Sequence, residues 1–392
     1  MHDMSEARDM LDLAARLALR GAGRVEPNPL VGCVLVREGC VIGTGHHRVF
    51  GGLHAEAEAL ADAASRGEST RGATAYVTLE PCNAPGRNPP CSQALIAAGI
   101  ARVVYARADE NPAKAGGAAA LRAAGIDAVL SAESPTASRL SEPFLKRIRT
   151  GRPWVIAKWA QTIDGRVATR TGESKWISGE WARRRVHALR GRVDAILTGI
   201  GTVVADDPLL TARLPHPPRR VAQRVVVDTD LRIPLECRLC TTARGVPTLV
   251  ACERSLASTT FSAKRRAALD QLGVTIIPVA DEGPGRGLNL PELMRTLLRD
   301  HGVSTLMVEA GPGLLGALFE ADLVDEAIVY IAPMMLGDEQ AKAVAVGRSA
   351  DKLSNACRLE LLRVKRLDGD IEATYRRTRR EERHTGGTES TA

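Results

Sequence analysis

Three side chains that can bind a borderline metal, and one carboxylate that can move a proton, stand close together in this sequence. His54-Ala-Glu56 opens an Ala-rich stretch of helical character, Pro81-Cys82 follows a run of strand character, and Cys91 lies nine residues further on at the start of another helical stretch. One histidine and two cysteines form a ligand set that suits a catalytic zinc with a fourth position kept for water. Placement at helix starts helps hold the thiolates deprotonated. Zinc lowers the pKa of a bound water from 15.7 towards about 7, which yields a nucleophile able to attack an amidine carbon. Glu56, two residues from His54 and not itself a ligand, can take the proton of that water and pass it to a departing amine. Taken singly, each residue has a plainer reading: a Glu in a first helical turn, a surface His, two Cys in a core. It is the four together that point to zinc.

A second set lies further along the chain. Gly311-Pro-Gly313 falls between a predicted strand and a predicted helix, where exposed backbone N–H groups and the helix dipole can hold a pyrophosphate, or where a tight turn is simply needed. Arg190 and Arg213 can make charge-assisted bonds to a phosphate, or can be solvated surface arginines. Asp206-Asp207-Pro208 can initiate a turn. Cys237-Arg-Leu-Cys240 has redox or zinc spacing but no second ligand pair and no thioredoxin-like context, so it reads as structural.

These groups need elements to position them. A length of 392 residues predicts two to three domains, and 44% hydrophobic with 25% charged residues is an ordinary globular composition. That excludes a disordered chain, a collagen-like chain and a disulfide miniprotein. No apolar run approaches the roughly 18 residues of a membrane span. The mixed-charge N-terminus lacks the apolar segment of a secretory signal, so a cytoplasmic location with no membrane partner is expected. The eight cysteines are then not a disulfide framework. The net charge is +7, and the five Arg and two Glu within 376–383 supply +3 of it. Small anionic substrates account for the rest better than nucleic acid does, because 3% aromatic residues leave few stacking platforms.

Periodicity predicts a helix over 5–22, a hairpin of strands 31–36 and 41–44, and helices over 54–64, 90–98, 118–124 and 135–148. Strands over 74–78, 102–105 and 127–130 alternate with them. This alternation implies a three-layer α/β domain with a largely parallel sheet. Thr150-Gly-Arg-Pro153 marks a boundary, giving domains 1–150 and 151–377 and a polar, disordered tail 378–392. The second domain, also α/β, starts with a strand over 154–158. It continues with strands at 195–199, 224–228, 248–251, 274–279, 305–309 and 326–331, helices near 179–190, 262–272, 290–301 and 313–321, and antiparallel strands near 358–377.

Several motifs now combine. His54-Ala-Glu56 with Pro81-Cys82 and Cys91 follows the order of the nucleobase-deaminase signature, with a longer gap between the cysteines. Together with Asn28-Pro29-Leu-Val-Gly32, Thr78-Leu-Glu-Pro-Cys82 and Asp109-Glu-Asn-Pro112, it resembles the deaminase half of the bifunctional RibD family of riboflavin biosynthesis, where that gap is normal. Lys158, Asp164-Gly165-Arg166, Gly172-Glu-Ser174-Lys-Trp176, Gly199-Ile-Gly201-Thr202 and Glu309-Ala-Gly311-Pro-Gly313 are similar to its reductase half. The resemblance covers nearly all of the chain before the tail.

It implies an N-terminal cytidine-deaminase-like domain and a C-terminal dihydrofolate-reductase-like domain. It further implies zinc on His54, Cys82 and Cys91, the proton shuttle on Glu56, pyrimidine contacts from Asn28 and His47, and a phosphoribosyl contact from Arg87. NADPH would meet Ala160, Trp176, Thr202, Asp206 and the turn Gly311, Pro312, Gly313, Leu314, Leu315, Gly316 and Ala317. The reductase substrate would meet Ser174, Arg190, Leu210, Arg213 and Glu309. The activities implied are hydrolytic deamination of a phosphorylated diaminopyrimidine and NADPH-dependent reduction of its ribosyl chain, in a protein that associates through its reductase domain. Two positions depart from the family pattern, Ala84 and Glu58, where histidines are usual. They leave open a relative with altered or lost deaminase specificity. An alternative of another class is a non-catalytic, zinc-containing nucleic-acid binder.

Overall fold

A computed structural model describes residues 2–85, 89–256, 259–260, 262–283, 287–347, 350 and 352–378. Packing divides the chain into two compact units, 1–152 and 153–392.

The first unit runs α1 (His2–Ala18), β1 (Gly32–Arg37), β2 (Cys40–His46), α2 (Ala55–Ser65), β3 (Thr74–Val77), α3 (Cys91–Ala97), β4 (Arg102–Tyr105), α4 (Gly117–Ala123), β5 (Asp127–Leu130), α5 (Pro135–Arg139) and α6 (Glu142–Thr150). The strands form one sheet in the order β2-β1-β3-β4-β5. Side chains of β1 alternate between two cores, as a strand covered on both faces requires. Cys33 and Leu35 join Ala59, Leu95 and Leu121 on one side, while Val34 and Val36 meet Leu11 and Ala14 of α1 on the other. The three layers match expectation, but the sheet is less parallel than expected. The pairs β1–β2 and β1–β3 are antiparallel, and only β3–β4 and β4–β5 are parallel. The reason is that β1 enters by a hairpin, which local periodicity cannot orient against β3. The single helix expected over 135–148 is two helices, because Leu140 and Ser141 separate α5 from α6.

Two glycines of β2 set where α2 lies. A Cβ on Gly43 or Gly45 would collide with the backbone carbonyl of Ala59 or Ala55. The helix therefore packs directly on the strand, which fixes the position of its first turn.

The second unit runs β6 (Trp154–Gln161), β7 (Arg166–Ala168), α7 (Glu180–Arg190), β8 (Ala195–Gly199), α8 (Ile200–Asp206), β9 (Gln223–Val227), α9 (Arg238–Thr241), β10 (Thr248–Glu253), α10 (Ala263–Gln271) and β11 (Val274–Val279). It continues α11 (Leu290–His301), β12 (Thr305–Val308), α12 (Pro312–Glu320), β13 (Glu326–Ile331), β14 (Lys342–Ala343), β15 (Leu359–Leu367) and β16 (Asp370–Arg377). Its main sheet has the order β11-β10-β9-β8-β12-β6-β13-β16-β15. All neighbours are parallel except β13–β16 and β15–β16. Buried residues alternate again: Trp154 and Ile156 face one core, Val155 and Ala157 the other. Strand β12 enters between β8 and β6 after β9, β10 and β11 have been laid down on the far side of β8. The carboxyl ends of β6, β8 and β12 thus meet where the winding reverses, which is where open α/β sheets bind ligands.

Cys237 and Cys240 are both buried in this core, with Cys237 capping the short α9. No third ligand from the described residues joins them in a metal-type cluster. The expected tail falls on 379–392, outside the described residues. Thr378, its first residue, instead hydrogen-bonds to the Arg358 carbonyl through its N–H and its hydroxyl.

Candidate active sites

The first site is built by the starts of two helices and a loop. His54 occupies the N-cap of α2 in extended backbone (φ −77°, ψ 162°), and its side chain makes no cap bond. Cys91 is the first residue of α3, following Pro90. Cys82 lies between β3 and α3. His54 Nδ1 is 3.3 Å from Cys91 Sγ and 3.6 Å from Cys82 Sγ. Ligand atoms of the three residues all lie within 4.8 Å of one another. The backbone N–H of Cys91 donates to Cys82 Sγ at 3.5 Å. A hydrogen bond from Cys91, with help from His54, pulls Cys82 down to about 4, while the same bond and burial raise Cys91. A convergent nitrogen and two sulfurs, one already thiolate, fit a zinc ion by donor type and spacing.

Glu56 sits in the first turn of α2, 3% exposed and hydrogen-bonded with Cys91. Burial, then the nearby Cys82 charge, raises its carboxyl above the usual range. Such a shift suits a group that must both accept and return a proton. His47 is buried beside this cluster, its ring 5.5 Å from that of His54. Its Nδ1 donates to the Leu53 carbonyl at 2.8 Å, and its Nε2 accepts from Asn28 Nδ2 at 3.2 Å. Burial lowers its pKa, which keeps that pattern neutral. Asn28, His47, His54, Glu56, Cys82 and Ala84 all border one cavity of about 340 Å³. Arg87 lies outside the described residues. Glu58 points away into an ion pair with Arg48 at 2.8 Å. Sequence reasoning missed Lys114, Phe144 and Arg147, which border the same cavity from the loop before α4 and from α6. Only tertiary structure brings them there.

The second site is a cavity of about 770 Å³ at the carboxyl ends of β6, β8 and β12. Ala160, Trp176, Thr202 and Asp206 border it, as do Gly311, Pro312, Gly313 and Leu314. So do Ser174, Arg190, Arg213 and Glu309. Gly311 is the N-cap of α12, with Pro312 at the first helical position, and a Cβ on Gly313 or Gly201 would meet open space. Two strand-to-helix turns, β8–α8 and β12–α12, thus present amides side by side to an anion.

Four expected residues do not border this cavity. Leu315 is packed in the core, Gly316 lies against the Val346 carbonyl, and Ala317 packs against the same core from the far side of α12. Helical rotation turns them away from the loop that Gly311 to Leu314 expose. Leu210 is 3% exposed within the other core, at φ 49°. Residues missed by sequence reasoning include His187 and Lys175.

Arg190 donates to both oxygens of Glu309, and Lys158 Nζ lies 3.6 Å from Glu309 Oε2. Burial pushes the Glu309 carboxyl up, but Arg190 and Lys158 outweigh it and hold it at about 2. Arg190 is therefore engaged with a carboxylate, not free for phosphate, whereas Arg213 is exposed. His187 is pushed down to about 4 by burial, Arg190 and Arg213. The cavity is cationic along one side and offers amides along the other.

Comparison with known proteins matches each unit to a family model. Residues 4–107 match the family model for the cytidine and deoxycytidylate deaminase zinc-binding region, and residues 153–373 match the RibD C-terminal domain. The riboflavin biosynthesis protein RibD of Escherichia coli strain K12 is 40% identical over 91% of this chain and 96% of its own length. That of Actinobacillus pleuropneumoniae is 38% identical over 94% of each chain. The solved Acinetobacter baumannii RibD (form 1) superposes with a TM-score of 0.78 at 35% identity, covering 96% of this chain and all of that one. A Thermotoga maritima protein described as a diaminohydroxyphosphoribosylaminopyrimidine deaminase and 5-amino-6-(5-phosphoribosylamino)uracil reductase gives 0.80 at 30% identity over the same shares. Neither alternative raised by the sequence is favoured by these findings. With the zinc-type cluster in one unit and the nicotinamide-type crevice in the other, the chain belongs to the RibD family of bifunctional deaminase–reductases of riboflavin biosynthesis.

Proposed function

We propose that the first unit hydrolyses the exocyclic amine of 2,5-diamino-6-ribosylamino-4(3H)-pyrimidinone 5′-phosphate, and that the second reduces the ribosyl group of the product to ribityl with NADPH. The observation that carries this reading is that His54, Cys82 and Cys91 bring their ligand atoms within 4.8 Å of one another, and that His54, Cys82 and Glu56 border one cavity. His54, Cys82 and Cys91 would hold Zn²⁺, which when bound supplies an acidified water as nucleophile. Asn28 and His47, locked together, orient the pyrimidine. Glu56 receives the proton of the attacking water and delivers it to the amine, which leaves as ammonia.

In the second unit the amides of the Gly199–Thr202 and Gly311–Leu314 turns and the face of Trp176 would hold NADPH, which supplies the hydride. Glu309, fixed by Arg190 and Lys158, faces the substrate ribose, and Arg213 offers a free cation to its phosphate. The functional division is proposed to follow the packing division: a deaminase domain 1–150, a reductase domain 151–377, and a tail 378–392 with no part in either reaction. Among the described residues no helix is long and apolar enough to cross a membrane. We place the chain in the cytoplasm, acting on phosphorylated pyrimidines and self-associating through the reductase domain, with neither nucleic acid nor membrane as partner.

The test is sequential. Zinc-loaded protein given the diaminopyrimidine without NADPH releases ammonia, and NADPH added afterwards is consumed in proportion. Failure to release ammonia while reducing supplied deaminated substrate would leave only the second half standing.

A further inference from the structure

We propose that Arg147, on α6, is a residue through which the deaminase cavity selects a phosphorylated pyrimidine over its dephosphorylated counterpart. The inference rests on the deaminase reading above and extends it to a residue outside that reading's motifs.

The cavity holds more carboxylates than a phosphorylated substrate would tolerate bare. Glu56 serves the reaction. The oxygens of Glu80 accept the backbone N–H groups of Ala118 and Asp109, at 2.9 and 3.1 Å, and Asp109 accepts that of Asn111 at 2.9 Å. These acids are held by the fold, yet they still repel an incoming phosphate. A cation must therefore face the phosphate end.

Two border the cavity among the described residues, besides the histidines: Lys114 and Arg147. Lys114 Nζ already donates to the carbonyls of Ala84 and Pro85, at 3.3 and 2.9 Å, so it fastens the loop that follows Cys82. Arg147 is different. Its guanidinium lies over the Phe144 ring, 5.2 Å from the centroid, and is half-buried. The acids nearest along the helix are used by another arginine, since Arg149 pairs with Glu110 and Glu142. Among the described residues, no carboxylate lies within ion-pair distance of Arg147.

Stacking one face of a guanidinium on an aromatic ring fixes its plane and leaves its N–H edges free, which is the geometry for a bidentate bond to phosphate. Residues 144 and 147 are neighbours on one face of α6. The helix thus brings ring and cation to the cavity as one unit.

The experiment measures ammonia release by the full-length, zinc-loaded chain from the phosphorylated diaminopyrimidine and from the same compound after phosphatase treatment. For Arg147→Gln, kcat/KM on the phosphorylated compound is expected to fall about 10- to 100-fold, mainly through KM, as loss of a charge-assisted bond implies. The ratio of efficiencies between the two compounds should then move towards one. Arg147→Lys should keep much of the ratio. Zinc content and NADPH oxidation on deaminated substrate report that both variants are folded. An unchanged ratio in Arg147→Gln, or an equal loss on both compounds, would overturn the proposal in favour of a packing role on Phe144. If the wild-type chain released no ammonia from either compound, the deaminase reading itself would fall.

Discussion

Arg190 grips both carboxylate oxygens of Glu309, at 2.6 and 3.0 Å, inside the larger cavity. The pair joins the end of α7 to the residue after β12, so one contact both closes the fold and shapes the substrate's floor. Glu309→Gln leaves Arg190 and Lys158 buried without a counter-charge, a change that typically costs about 3 kcal/mol or more. All four tryptophans, Trp154, Trp159, Trp176 and Trp181, lie in the second unit, so their fluorescence follows that unit alone. Thermal melts read this way should show the loss. They should also show a pH signature. Glu309 is held at about 2 against an ordinary 4.5, so its contribution is complete above about pH 4.5 and disappears as pH falls towards 2. The gap between wild type and variant should narrow over that window. A gap independent of pH would argue against the ion pair.

Cys91→Ser removes a ligand at the start of α3. Metal analysis should show zinc lost or strongly reduced. Ammonia release should drop at least ~1,000-fold, whereas NADPH oxidation on supplied deaminated substrate persists. Retention of stoichiometric zinc would remove Cys91 from the ligand set.

Glu56→Gln is nearly isosteric and leaves the ligands in place. Zinc content should therefore be unchanged while deamination falls about 100- to 10,000-fold, the usual range for a lost proton-transfer group. Near-normal turnover would show that another group moves the proton.

Gly313 and Gly316 separate binding from folding within α12. A side chain at 313 enters open space in the cavity, so Gly313→Leu should weaken NADPH binding more than about 10-fold with little effect on melting. At 316 a Cβ would collide with the Val346 carbonyl, so Gly316→Ala should lower stability instead. Equilibrium titration by fluorescence and thermal melts distinguish the two. Equal cofactor affinity in Gly313→Leu and wild type would contradict the role given to this turn.

Much of this was legible in the sequence. His54, Glu56, Cys82 and Cys91 were identifiable because their residue types are uncommon in that order and each marks an element boundary. The strands of the second unit were identifiable because burial on both faces makes them continuous apolar runs, such as Val225-Val226-Val227. What escaped depends on distance in the chain. Arg190 looks like any arginine on a basic helix until β12 delivers Glu309 to it. Phe144 and Arg147 lie on a helix whose pattern reads only as amphipathic. Leu210, Leu315, Gly316 and Ala317 follow a contiguous run or a position in the pattern, and the rotation of α12 and the packing of Leu210 keep them off the cavity wall.

The late arrival of β12 has a consequence for a chain emerging from the ribosome. The ligands of the hydrolytic site all precede β4, so that site can be complete early. The crevice needs Gly199 and Gly311 side by side, and until β12 slots between β8 and β6, β8 has one of its two neighbours and β6 has neither. A nascent protein interrupted before β12 would be able to hold metal but not dinucleotide, and it would expose the unpaired edges of β8 and β6 to other chains. Competence is thus acquired during synthesis in the same order as the two reactions proceed.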